Sequence, residues 1–127
     1  MAGGVEAEIQ VVSGNMLSPG TYTPGIMREV AFDTPSALFS RTRIPGGNIS
    51  GWHHHGDRVL FGYLLEGRLT LEFGTHGSKS ATIEQGDFFR IPIGLIHRDI
   101  NPEKAETVVV SLLAGGGPVV VSVSDPD

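Results

Sequence analysis

GWHHHGDRVLFGYLLEG, Gly51–Gly67, sets three consecutive histidines ahead of an apolar run that closes on Glu-Gly. The chain has five histidines in all, so this stretch holds most of them. Side chains of an extended segment alternate between faces. His53 and His55 therefore point one way and His54 the other, and two imidazoles on one face are half of a metal site. Val59 to Leu65 is apolar enough to be buried on both faces, Gly67 breaks the run, and Arg68–Phe73 alternates apolar with polar residues. Two such runs about a glycine predict a β-hairpin.

Outward from this hairpin the periodicity stays that of strands, with turn residues every eight to twelve positions. Strands are expected at 8–12, 27–32, 37–44, 80–84, 87–91, 96–100, 107–113 and 119–123, the first followed by the loop SGNMLSPGTYTPG so that residues 1–25 form an N-terminal strand and loop. Pro45-Gly46-Gly47, Asn101-Pro102 and Gly115-Gly116-Gly117 read as turns. No segment carries a convincing helical period. Many short strands at this spacing predict an all-β sandwich or closed barrel, which also hides unpaired strand edges.

Composition narrows the function. A chain of 127 residues reads as one domain, residues 1–127, able to bury roughly two-thirds of its unfolded surface. Nine Lys and Arg against fourteen Asp and Glu give a net charge of −5, and no basic stripe is present, which argues against nucleic acid as a partner. Without cysteine, a metal must be held by nitrogen and oxygen donors. The opening MAGGVEAEIQ lacks the basic-then-apolar layout of a signal peptide, and no apolar run approaches the ~18 residues of a membrane span. A soluble, cytoplasmic protein without a membrane partner is the expectation.

Among the remaining histidines, His97 is embedded in strand-like sequence, GDFFRIPIGLIHRDIN from Gly86 to Asn101, and is the candidate third imidazole. Together the two stretches resemble the cupins. The first cupin motif runs glycine, five residues, His-x-His, three or four residues, glutamate, six residues, glycine; Gly47, His53, His55 and Gly67 fit it over 47–67. The second runs glycine, five residues, Pro-x-Gly, two residues, histidine, three residues, asparagine; Gly86, Pro92, Gly94, His97 and Asn101 fit it over 86–101 at every fixed position. Two motifs in order form a specific signal where a lone His-x-His would be weak. The resemblance implies a cupin-type jelly-roll β-barrel, a divalent metal held inside it, a small-molecule substrate or ligand, and a homodimer.

One position departs from the pattern. The place of the glutamate ligand falls on Leu60. The expected site is then His53, His55 and His97 alone, which leaves the ion its full charge of +2 and more open positions. Glu66 shares the parity of Leu60 but lies ~20 Å further along the strand, at the hairpin turn. Asp57 could fold back from the loop as a substitute. Asp99 shares the face of His97 and reads as an outer partner orienting an imidazole, or as a solvated rim charge. Leu60, Phe88, Arg90 and Asp99 are the candidate substrate-pocket residues. Arg41, Arg43, Arg90 and Arg98 are candidate anchors for an anion, though surface solvation explains each as well. His54 and His76 read as an outer-face and a surface-turn residue, and Tyr63 as facing away from the metal.

Imidazole ligands suit Fe(II) first for this reading, with Zn(II), Ni(II), Mn(II) or Cu(II) as alternatives. The functions carried forward are a three-histidine Fe(II)-dependent dioxygenase acting on a small diketone, enol or phenolic acid, a non-redox metal-dependent isomerase, lyase or hydrolase, and a non-catalytic ligand-binding cupin.

Overall fold

The computed structural model describes residues 7–126. Its strands are β1 (Ser18–Pro19), β2 (Met27–Thr34), β3 (Ala37–Ile44), β4 (His53–His54), β5 (Val59–Glu66), β6 (Arg68–Phe73), β7 (Lys79–Glu84), β8 (Phe88–Ile91), β9 (His97–Ile100), β10 (Thr107–Ala114) and β11 (Val121–Ser122). They pair antiparallel throughout, in a six-stranded sheet of order β1-β2-β3-β10-β5-β8 and a five-stranded sheet of order β11-β4-β9-β6-β7. Facing sheets of this order are the jelly roll that the sequence implies.

Alternation fixes which side chains enter the barrel. On β3, Leu38, Ser40, Thr42 and Ile44 are buried; on β5, Leu60, Gly62 and Leu64; on β10, Val109, Ser111 and Leu113. Leu69 and Leu71 of β6 and Ile83 of β7 meet them from the smaller sheet, completing one apolar cluster. The hairpin expected of these two runs does not form: the chain turns at Gly67, but β5 pairs with β10 and β8 in the larger sheet while β6 pairs with β9 and β7 in the smaller one, so Gly67 marks a crossing between sheets.

Two further expectations need correction. No strand forms at 8–12: the alternation is present, but Ile9 and Val11 are almost fully exposed and the segment finds no partner strand among the described residues. The N-terminal strand is instead the two-residue β1, paired with β2. The strand expected at 87–91 starts one residue later, at Phe88.

Asn101, fully buried, closes the mouth of the barrel. Its side-chain amide donates to the carbonyls of Ile44 (2.9 Å), Pro45 (3.2 Å) and Ala105 (2.9 Å), while Oδ1 accepts the Glu103 N–H. The Pro45-Gly46-Gly47 turn is thereby tied to the end of β9. Gly46 is required there because a Cβ would run into the Lys104 carbonyl. Gly47 and Asn101 thus hold the fold rather than a ligand.

Candidate metal centre

The three histidines converge inside the barrel. β4 and the bend after it carry His53 and His55, β9 carries His97, and β4 pairs with β9 so that His53 faces His97 directly. All three are at most 2% exposed. Their ring centroids lie 5.3 Å (His53–His55), 4.4 Å (His53–His97) and 5.0 Å (His55–His97) apart, and one ligand atom from each lies within 4.8 Å of the others.

Backbone carbonyls set the ring orientation. Nδ1 of His53 meets the Gly51 carbonyl at 2.8 Å, Nδ1 of His97 the Leu95 carbonyl at 2.8 Å, and Nδ1 of His55 the Val119 carbonyl at 2.9 Å. A carbonyl only accepts, so each Nδ1 carries the proton and each Nε2 keeps a lone pair. That is the arrangement in which a histidine ligates through Nε2 while its other nitrogen is held. Burial disfavours the charged form of the two rings on the first segment. It lowers His53 to about 4, with the nearby Asp99 charge pulling the other way, and lowers His55 to about 3, with His97 adding to the effect.

Asp99 stands on the lone-pair side of this group. It is two residues beyond His97 on the same face of β9, and its Oδ1 lies 3.5 Å from His53 Nε2 and 3.8 Å from His97 Nε2. That oxygen is buried and has no hydrogen-bond partner among the described residues. The expectation that Asp99 orients an imidazole from behind, or sits solvated at a rim, is therefore corrected: the carbonyls already occupy the Nδ1 positions, and the carboxylate faces inward. The donor set of three imidazole nitrogens beside an unpartnered carboxylate oxygen suits a divalent cation.

The chamber around these groups is lined by Leu60, Leu69, Ile91, Val109 and Leu113, with Thr42, Ser111 and Arg28 as its further polar residues, and has a volume of about 20 Å³. Arg28 is the chamber residue that the sequence did not single out. It is buried on β2, donates Nη1 to the Thr21 carbonyl and to Thr23 Oγ1, and is lowered by burial against the opposing pull of Asp99. A second cavity of about 280 Å³ opens where β7 and β8, the free edges of the two sheets, approach. Its walls include Leu71, Phe73, Ile83 and Leu95, and it shares Phe89, Ile91 and His97 with the chamber.

The other sequence candidates fall as follows. Leu60 lines the chamber, in the glutamate's place. Phe88 is 80% exposed on the outer face, and Phe89 takes the inward position, because β8 pairs with β5 so that Phe89 stands opposite the inward-facing Gly62. Gly62 makes room for the Phe89 ring, which a Cβ at residue 62 would strike. Arg90 is exposed and touches the second cavity rather than the chamber. Asp57 and Glu66 are exposed and outside the converging group. Arg41 and Arg43 pair with Glu29 at 2.8 and 2.9 Å, while Arg98 pairs with Glu72 at 2.7 Å and lies over the Trp52 ring. His54 accepts the Gly56 N–H, His76 sits in an exposed turn, and Tyr63 packs on Phe88 outside the barrel.

The family model of the cupin domain matches residues 40–113. A search of curated proteins finds no matching sequence. Among solved structures, the polyketide cyclase RemF from Streptomyces resistomycificus is similar at 15% identity, covering 91% of this chain and 86% of that one, with a TM-score of 0.75. A cupin domain from Bordetella pertussis Tohama I is similar at 28% identity, covering 76% of this chain and all of that one, with a TM-score of 0.61. An oxalate oxidase in complex with the substrate analogue glycolate is similar at 26% identity, covering 69% of this chain and 46% of that one, with a TM-score of 0.60. No helix among the described residues is long and apolar enough to cross a membrane. With its two motifs, its facing antiparallel sheets and its inward histidine cluster, the chain belongs to the cupin family.

Proposed function

We propose that the protein holds a divalent ion on the Nε2 atoms of His53, His55 and His97 and acts as an Fe(II)-dependent dioxygenase on a small organic acid, diketone or enol. The observation that carries this reading is the convergence of three buried imidazoles, each locked through Nδ1, in one chamber. Bound Fe(II) would supply the one-electron chemistry that dioxygen requires. The chain's residues divide the space for two reactants. About 20 Å³ beside the histidines suits a diatomic or a water-sized group. The apolar cavity of about 280 Å³, reaching His97, suits the organic partner. Buried Arg28 gives the chamber a fixed positive charge toward which a carboxylate or enolate would orient, and likeness to an oxalate oxidase supports an acidic substrate.

A second reading, a non-redox isomerase, lyase or cyclase using Zn(II), Ni(II) or Mn(II), is favoured by one observation. Asp99 presents a carboxylate to the chamber, where a general base would stand. Metal-free protein reloaded with Fe(II) should consume oxygen with a member of a panel of diketones, enols, phenolic acids, thiols and oxalate, and should be silent with Zn(II). Turnover of the same panel by the Zn(II) form without oxygen uptake would hand the function to the second reading. Ligand-dependent thermal stabilisation with no product under any metal would leave a binding module.

The proposed homodimer forms on the outer face of the larger sheet. Phe39, Leu112 and Phe61 stand in register across β3, β10 and β5, with Phe88 beside them, all exposed. Such a contiguous apolar row on one face marks an interaction surface. Sedimentation of the untagged protein should give twice the chain mass.

A further inference from the structure

We infer that Asp99 is a fourth ligand to the metal, delivered by β9 in place of the glutamate for which Leu60 stands in β5. The inference rests on the reading that the three histidines hold a divalent ion. Each Nε2 carries a lone pair, because each Nδ1 proton is committed to a carbonyl. Asp99 Oδ1 lies 3.5 Å from Nε2 of His53 and 3.8 Å from Nε2 of His97, beyond good hydrogen-bond distance, and has no hydrogen-bond partner among the described residues. The group whose ligand atoms all lie within 4.8 Å of one another is the three histidines; Asp99 stands at its edge, beside His53 and His97, with a buried carboxylate oxygen that a cation there would satisfy. The spacing also suits a shared ion: donors ~2.1 Å from a metal lie ~3.4 Å apart on a tetrahedral edge and ~3.0 Å apart between adjacent octahedral positions.

The carboxylate is held where it is by the backbone. The Asp99 N–H donates to Ser50 Oγ at 2.8 Å, and the Asp99 carbonyl accepts the Ser50 N–H at 2.8 Å. Ser50 is buried three residues before His53, so one clamp sets Asp99 against the first histidine segment. Arg28 shares the chamber, but its Nη1 is spent on Thr21 and Thr23, and no ion pair joins it to Asp99 among the described residues. Leu60 cannot ligate, and its side chain fills the position across the chamber. A monoanion from Asp99 would bring the site from +2 to +1, as the family's glutamate would, from a different strand.

The test compares untagged wild type with Asp99→Asn, of the same shape but without the charge. Titration calorimetry with Co(II) should show affinity falling by more than about 100-fold, the upper end of what an outer partner is worth. The visible spectrum of the Co(II) form should change, and metal-free D99N should melt at or above the wild-type temperature because a buried carboxylate without a partner is removed. Affinity within about threefold of wild type and an unchanged Co(II) spectrum would overturn the assignment. A second measurement needs no variant to fold. In wild type labelled with 13C-aspartate, difference infrared spectra on adding Zn(II) should show a shifted aspartate carboxylate stretch, and the absence of any such shift would also overturn it. If wild type takes up no Co(II), the histidine reading itself fails, an outcome distinct from a D99N that binds normally.

Discussion

The two histidine-bearing segments reach the chamber by different means. Gly47–Gly67 is assembled across the chain: its strand β4 is two residues long, its His55 ring is fixed by the distant Val119 carbonyl, and Leu60 occupies the acidic position. Gly86–Asn101 fixes its histidine from within but leans on the first segment elsewhere, its Asp99 backbone clamped by Ser50. Leu95 holds His97, Asp99 follows two residues later on the same face, and Asn101 ties the end of the segment to the barrel mouth. The difference teaches that the negative charge of a site of this kind can belong to either segment while the frame stays the same.

Replacing one imidazole breaks the comparison most severely, since each segment is then reduced to an incomplete half. His97→Ala should weaken Co(II) binding by more than about 1,000-fold, or about 4 kcal/mol, measured by calorimetry. Retention of wild-type affinity would remove His97 from the site.

Acid should next expose the first segment. His53 and His55 titrate near 4 and 3 in the folded chain, below the ordinary imidazole value near 6.5. As pH falls through 6.5 the unfolded chain takes up these protons first, so stability is whole above that value and is lost toward 4. The metal-free protein should lose roughly 4 kcal/mol between pH 7 and pH 5, read from urea midpoints. A flat profile over that window would contradict the neutral, buried rings.

The second segment should instead respond to loss of a hydrogen-bond hub. Asn101→Ala leaves the Ile44, Pro45 and Ala105 carbonyls without their shared donor and should cost about 3 kcal/mol in chemical denaturation, with Co(II) affinity per folded chain little changed. The smallest effect on stability belongs to the outer face. Phe88→Ser should alter monomer stability by less than about 0.5 kcal/mol, yet shift sedimentation from dimer toward monomer. An unchanged dimer would move the interface elsewhere.

Much of this was legible before the coordinates. Strand period and turn residues identified the two-sheet frame, and the alternation of His53, His54 and His55 with the spacing to His97 picked out the rings that meet. What failed did so for physical reasons. The segment 8–12 has the alternation of a strand, but pattern alone cannot supply a pairing partner. Phe88 and Phe89 point to opposite faces, and which of them turns inward is set by the register of β8 on β5, which residue identity alone does not reveal. Asp99 was placed on the right face of β9, but which nitrogen it approaches depends on carbonyls that fix the rings, and backbone acceptors leave no trace in residue identity. Arg28 lies far from both motifs and enters the chamber only through the β2–β3 pairing and the turn that supplies Thr23.

The most direct measurement of the central claim is the metal stoichiometry of untagged, chelator-free protein after anaerobic equilibration with Fe(II) and, separately, Zn(II). The account requires one ion per chain, retained through desalting and lost in His97→Ala. Protein that leaves the column without metal, or that keeps equal metal when His53, His55 and His97 are all replaced, would contradict it.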